Sequence, residues 1–213
     1  MLQGQTSGKG HRGRQVFSGG IGGDALIRTP CGPRRADAIR SGDLVVTRTE
    51  GLKPVRAVWM RKLTQADMKL AAGRAPIRLK PRAVGPMMPT RDLLIAADHK
   101  LLVPGYRLSE VEDTQCCLMT AGEFAEASDD AWTDRNTIGA TLYTFIFDTH
   151  QVFCASGLPV ESFQPSEVTL PTLAGKLRKE LMDLFPSLSK DPTAYPAAKF
   201  PQANAANLRL DSA

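Results

Sequence analysis

Histidine is scarce in this 213-residue chain, with three copies, and aromatic residues make up only 6%. Trp59, Trp132, Phe145, Phe147, Phe153 and Phe163 are too dispersed to form a base-stacking platform, so core packing is their default role. Without a basic stripe interleaved with aromatics, the formal charge of +5 argues only weakly for nucleic acid as a partner. The four cysteines, Cys31, Cys116, Cys117 and Cys154, show no Cys-x-x-Cys spacing, and the adjacent Cys116 and Cys117 are poorly placed to pair. A reduced, cytoplasmic setting is the simpler reading. Residues 1–23 lack the apolar core of a secretory signal, and no run approaches the roughly 20 apolar residues that span a bilayer. A soluble chain is expected, with non-classical export or incorporation into an assembly left open.

Hydrophobic residues at 42% and charged residues at 23% suffice for one globular domain with tails. Residues 1–23 carry eight glycines and read as a flexible basic leader. From 24 to 165 short β-branched and apolar runs alternate with Gly, Pro and Asp turns. Ala25 to Thr29, Leu44 to Arg48, Leu52 to Trp59, Asp92 to Val103, Thr137 to Phe147 and Gln151 to Cys154 are the main strand candidates. Asp92 to Val103 reads as a hairpin, Val111 to Leu118 as a further strand pair, and Thr120 to Glu123 as a capped helix start. The pattern predicts a mostly β fold, a barrel-like or sandwich domain of short strands. Residues 166–186 then space Leu173, Leu177, Leu181 and Leu184 along one helical face. Residues 187–213, rich in Pro, Ala, Ser and Asn, read as a flexible tail.

Two of the three histidines, His99 and His150, sit inside the best strand candidates, which points to one shared site. His150 follows Asp148 by two, so on a regular strand both side chains share a face, where a carboxylate can fix the imidazole's tautomer. The plain alternative for both is a buried ring satisfied by backbone groups. Asp148, His150, Cys154 and His99 are permitted zinc ligands, but their spacing matches no short metal motif. No metal and no cofactor are therefore expected. Cys154 reads as a small buried hydrophobe rather than a thiolate.

A further pattern runs through the chain in order. It comprises Ala25-Leu-Ile-Arg-Thr-Pro-Cys-Gly32, Ala38-Ile-Arg-Ser-Gly-Asp-Leu-Val-Val-Thr47, Pro54-Val-Arg-Ala-Val58 and Arg91-Asp-Leu-Leu-Ile-Ala-Ala-Asp-His-Lys-Leu-Leu102. Phe147-Asp-Thr-His150 and Glu161-Ser-Phe163 complete it. No single piece is decisive, but the ordered set, covering about residues 20–165, resembles the Hint domain of hedgehog proteins and inteins. The likeness is to bacterial proteins in which a short Hint module stands nearly alone. The resemblance implies a Hint-like barrel or horseshoe of short strands and a chemistry in which an N-terminal Cys or Ser attacks the preceding carbonyl. It also implies a histidine of a Thr-x-x-His element that polarises the scissile amide, and an acid or second histidine near the last strands. Such an acyl shift needs a nucleophile within attack distance and a protonated leaving nitrogen. An imidazole titrating near neutrality is the natural donor.

By this resemblance His99 matches the Thr-x-x-His histidine, with Ala96 standing where threonine would be, and Asp148 and His150 match the late Asp-x-His element. The nucleophile position falls on Gly20, which has no nucleophile. Ser18, two residues upstream, could serve only through a register slip. The expected function is therefore a Hint-like domain that has lost processing and acts as a binding or structural module. Its partner would be protein, met through the C-terminal helix or exposed loops, and the oligomeric state is left open. Two alternatives stand beside it. One is residual autoproteolysis by an N-to-O or N-to-S acyl shift using Ser18 or Cys154 with His99 and His150. The other is a basic adaptor for nucleic acid or a larger assembly.

Overall fold

Turn residues cut the apolar sequence into short strands, and two sheets sort those strands by which edge each can reach. The computed structural model describes residues 19–69 and 75–209. It opens with β1 (Ile21–Gly22), β2 (Leu26–Thr29) and β3 (Gly32–Arg35), then β4 (Leu44–Thr47), β5 (Gly51–Pro54) and β6 (Ala57–Lys62). A short helix α1 (Gln65–Lys69) precedes β7 (Ile77–Leu79), β8 (Leu93–Ile95), β9 (Lys100–Pro104) and β10 (Cys116–Thr120). Helix α2 (Ala121–Glu126), β11 (Ala131–Thr133), β12 (Thr141–Ile146), β13 (Val152–Ala155), β14 (Leu158–Glu161) and helix α3 (Gly175–Leu184) follow.

One sheet has the order β11-β7-β8-β1-β12-β6, and the other runs β10-β9-β14-β13-β2-β3 with the β4–β5 hairpin attached to β13. Among the described residues the architecture is thus mostly antiparallel β with few short helices, two open sheets rather than a closed barrel. Both sheets feed one apolar cluster in which Ile21, Ile27, Leu79, Ile95, Leu101, Phe124, Phe145, Phe147 and Phe153 are fully buried. Each such side chain contributes about 1.5–3 kcal/mol by leaving water. The capping box at Thr120 forms as its sequence requires: the Glu123 N–H donates to Thr120 Oγ1 at 3.2 Å and the Thr120 N–H to the Glu123 carboxylate at 3.1 Å.

Three local readings are corrected. The run from Leu52 to Trp59 is two strands, because consecutive amides bond to different sheets: Val55 N–H to Asp43 O at 2.9 Å and Arg56 N–H to Ile146 O at 2.7 Å. Val111 to Leu118 yields one strand, β10, in place of a pair. Asp92 to Val103 is no hairpin. β8 pairs with β7 and β1, β9 pairs with β10 and β14, and the turn at residues 96–99 carries the chain from one sheet to the other. Two adjacent apolar runs look like a hairpin locally, but here each run finds a better buried edge elsewhere. This crossover sets the position of His99.

The C-terminal helix is covered by the domain itself. Leu173 and Leu181 pack with Ala57, Trp59, Ile146, Phe163, Leu188 and Tyr195 in a second core, and the Trp59 indole N–H donates to Glu180 at 3.2 Å. Residues 187–209, read from composition as a flexible tail, lie along the sheets at spaced anchors. Tyr195 donates its hydroxyl to Phe147 O at 2.8 Å. Phe200 packs on Leu102, Leu118 and Val152, and Leu118 N–H donates to Pro201 O at 2.8 Å while Ala203 N–H donates to Leu118 O at 2.9 Å. This covers the outer edge of β10, where unpaired backbone groups would otherwise face solvent.

Candidate functional site

The short strand β1 is threaded between β8 and β12, with Ile21 opposite both Ile95 and Tyr143. This central position brings the residue before it, Gly20, against the 96–99 turn. Gly20 is held at both of its backbone groups: its carbonyl accepts from Ala96 N–H at 2.8 Å, and its own N–H donates to His99 Nδ1 at 3.1 Å. Because Nδ1 accepts that bond, the neutral imidazole carries its proton on Nε2. Nε2 is buried and has no hydrogen-bond partner among the described residues. His99 is 5% exposed, and burial lowers its pKa, although the nearby charges of Glu161 and Asp98 push the other way.

Gly20 itself leaves no room for a side chain. Its φ is +121°, a region closed to ordinary residues, and a Cβ placed there would meet Leu142 Cβ and Thr144 Oγ1 at 3.0 Å and Tyr143 O at 3.1 Å. Thr144, 3% exposed on β12, thus stands directly beside the Gly20 α-carbon.

The second histidine is reached through Glu161, at the end of β14. Glu161 Oε2 lies 3.3 Å from His150 Nε2, and its Oε1 accepts from Lys100 N–H at 3.3 Å, the residue next to His99. The Lys100 ammonium is 3.9 Å from Oε2. Glu161 therefore ties the segment bearing His99 to His150, whose side chain is fully buried and whose Nδ1 has no hydrogen-bond partner among the described residues. Asp148 does not join them. The backbone bends at 148 and 149, so regular strand alternation fails there, and the Asp148 carboxylate turns out to solvent to meet Arg56 at 3.3 Å. Cys154, partly buried on β13, has its thiol pKa raised by burial, against the pull of Arg48 and Arg28, which disfavours a thiolate. Ser18 lies outside the described residues.

These groups open on a cleft of ≈ 590 Å³, lined among others by Gly19, His99, Thr144, Glu161 and Ser162, with Gln202 of the C-terminal segment on its rim. Among the described residues no group of three or more His, Cys, Asp or Glu could hold a metal ion. Glu161 and Thr144 were not identified as site residues from the sequence. Glu161 stood in the quoted Glu161-Ser-Phe163 element, whereas Thr144 carried no local signal beyond strand alternation.

The model of the Hint domain family matches residues 22–167. The chain belongs to the Hint domain family. Solved structures similar to this Hint domain include the bacterial intein-like domain from Clostridium thermocellum, at 13% identity and a TM-score of 0.46, covering 70% of this chain and 100% of that one. The gp41-1 intein is 14% identical with a TM-score of 0.42, covering 68% and 98%. The DnaB intein from Synechocystis sp. PCC 6803 is 17% identical with a TM-score of 0.39, covering 69% and 100%. No curated protein matches the chain in sequence. No helix among the described residues is long and apolar enough to cross a membrane.

Proposed function

We propose that this Hint domain does not process its own chain and serves as a binding or structural module. The observation that carries the reading is Gly20, whose amide rests on His99 while its α-carbon has neither a nucleophile nor space for one. An N-to-O or N-to-S acyl shift needs a hydroxyl or thiol within attack distance of the preceding carbonyl and a protonated leaving nitrogen. A buried imidazole whose Nδ1 accepts the Gly20 N–H holds the amide in its ground state and has no proton at that atom to give. Glu161, His150 and the Lys100 backbone then act as a polar lock around the entry of the chain. Because the apolar face of α3 is taken up by the second core, a protein partner would meet the polar side of that helix or the exposed loops. The chain fits a cytoplasmic setting with its cysteines reduced.

The contact between His99 and the Gly20 amide also supports a second reading, residual autoproteolysis at the entry of the domain. Intact mass separates the two. The full chain, tagged at both ends, is incubated for days at neutral pH with and without dithiothreitol. An unchanged full-length mass is expected. A discrete break between residues 17 and 24 that disappears in His99→Ala would overturn the non-processing reading and restore the acyl shift.

A further inference from the structure

Away from the cleft, the outer face of the second sheet carries an apolar patch on the β4–β5 hairpin. Strand alternation turns Val45 and Thr47 of β4, Ile27 and Thr29 of β2, and Phe153 and Ala155 of β13 toward the interior, where all six are buried. Leu44, Val46 and Arg48, Leu26 and Arg28, and Cys154 therefore face outward. The register of the hairpin sets Val46 beside Leu52 and Leu44 beside Pro54. Leu44 is 45% and Leu52 51% exposed. One exposed leucine is ordinary, but two of them adjoining Val46 and Pro54 on one hairpin form a contact surface.

One part of this outer face is covered by the chain itself. Val152, Leu102 and Leu118 pack with Ala198 and Phe200 of the C-terminal segment, and Lys199 between those two reaches Glu50 at 2.8 Å. Extended chain with spaced apolar anchors and a charge on the rim is thus what covers the face, and Leu44 and Leu52 stay outside that cover. The charges beside them say what would continue it. Arg28 follows Ile27, which pairs with Ala155, so it stands next to Cys154, and its guanidinium has no hydrogen bond or ion pair among the described residues. The Arg48 N–H donates to Val152 O at 2.6 Å, and its guanidinium meets no carboxylate, only the Cys116 thiol at 3.9 Å, a weak and neutral acceptor. Burial raises the Cys154 thiol pKa and the charges of Arg48 and Arg28 pull against it, as they do when both lie on its side of the sheet. The acids nearby are engaged: Asp43 by Arg34 at 3.0 Å, Glu50 by Lys53 at 2.7 Å, and Asp37 by Arg35.

We propose that this face binds an extended peptide segment of a partner protein, apolar in one half and acidic in the other, with the apolar half on Leu44, Val46, Leu52 and Pro54 and the carboxylates on Arg28 and Arg48. Guanidinium forks take carboxylates through paired, charge-assisted hydrogen bonds, and alternate side chains of an extended segment supply the anchors. The segment meets the face of the hairpin, because Lys53 and Pro54 on β5 disfavour the addition of a strand at its edge. Charge also disfavours the nearest other occupants. Residues 1–18 contain Lys9, Arg12 and Arg14 and no acid, and a second copy meeting this face by two-fold symmetry would set the arginines of one face against those of the other. The proposal rests on the binding-module reading and adds the hairpin face to the helix and loops.

The test is a titration of the isotope-labelled full chain followed by amide NMR. The probe is an end-blocked peptide of about eight residues, with leucine and serine alternating in one half and glutamate and serine in the other. The same peptide with lysine in place of glutamate, and with serine in place of leucine, are the comparators. Saturable shifts confined to residues 26–28, 44–54 and 152–155 are expected with the probe, and both comparators should bind at least about tenfold more weakly. Arg28→Gln and Leu52→Ser, both at exposed positions, should each weaken binding about tenfold while leaving the rest of the spectrum unchanged. The proposal is overturned by an absence of saturable shifts, by the lysine peptide binding as tightly, or by undiminished binding in either variant. It is also overturned if these residues shift with protein concentration alone, which would assign the face to a second copy. Intact mass recorded on the same samples keeps the two readings apart: a whole chain that binds no probe removes this surface only, and a cleaved chain that binds it removes the non-processing reading only.

Discussion

Restoring a thiol at the entry of the domain should damage the fold without restoring cleavage. In Gly20→Cys the new side chain must adopt a backbone at φ +121°, a conformation that costs an ordinary residue about 1–3 kcal/mol. Its Cβ must also enter a space where Leu142, Thr144 and the Tyr143 carbonyl stand at 3.0–3.1 Å, and overpacking of this kind costs a further 1–3 kcal/mol or so. The sum, about 2–6 kcal/mol, is large against the 5–15 kcal/mol typical of whole-domain stability. For a chain of this size it lowers the melting temperature by about 4–24 °C. Urea unfolding of wild type, Gly20→Ala and Gly20→Cys measures it directly. The two variants should lose similar stability, since they share the Cβ, and Gly20→Cys should keep its full-length mass in dithiothreitol. A loss below about 0.5 kcal/mol, or a thiol-dependent fragment, would refute the reasoning, because it would mean that β1 shifts readily to seat a nucleophile.

Three further outcomes follow from the same contacts. Burial depresses the His99 pKa, so the unfolded chain binds a proton that the folded chain resists. Stability is full above the unfolded value near 6.5 and falls as pH drops below it, by at most about 1.4 kcal/mol per pH unit for one group. In His99→Gln the denaturation midpoint should be flatter between pH 6.5 and 5, and an unchanged slope would exclude His99 as the source. Lys199 and Lys53 hold the Glu50 carboxyl at a pKa of about 2. This contribution is present above the ordinary value near 4.5 and is lost as pH falls toward 2, and Lys199→Ala should move the carboxyl titration upward in a carbon-detected NMR experiment. Tyr195→Phe removes the buried hydroxyl donor to Phe147 O at about 1–2 kcal/mol, and Leu181→Ala opens the second core at about 2–5 kcal/mol. Both are read by urea unfolding, and losses near zero would detach the C-terminal segment from the stability of the domain.

Much of the architecture is legible in the order of residues, and the site only in part. Gly-Asp and Thr-Pro turns, β-branched runs and the Leu stripe at 173–184 fix element type through local sterics and periodicity, so β2, β4, α2 and α3 follow from sequence alone. The ordered motifs also single out His99, His150 and Gly20 as the positions to compare with the Hint pattern. Strand partnership is different, because it depends on which edges are free once the whole chain has collapsed. Leu52 to Trp59 therefore divides between two sheets, and Asp92 to Val103 becomes a crossover in place of a hairpin. The same long-range pairing decides the chemistry. Strand β1 is inserted between β8 and β12, which places the Gly20 amide on His99, 79 positions away in sequence. A bend at 148 sends Asp148 to Arg56 and leaves Glu161 to meet His150. Residue types, and the absence of a side chain at Gly20, are written in the sequence. Which carboxylate meets His150, and how tightly Leu142, Thr144 and Tyr143 close around Gly20, are set by folding, because both depend on distances between segments that local pattern does not encode.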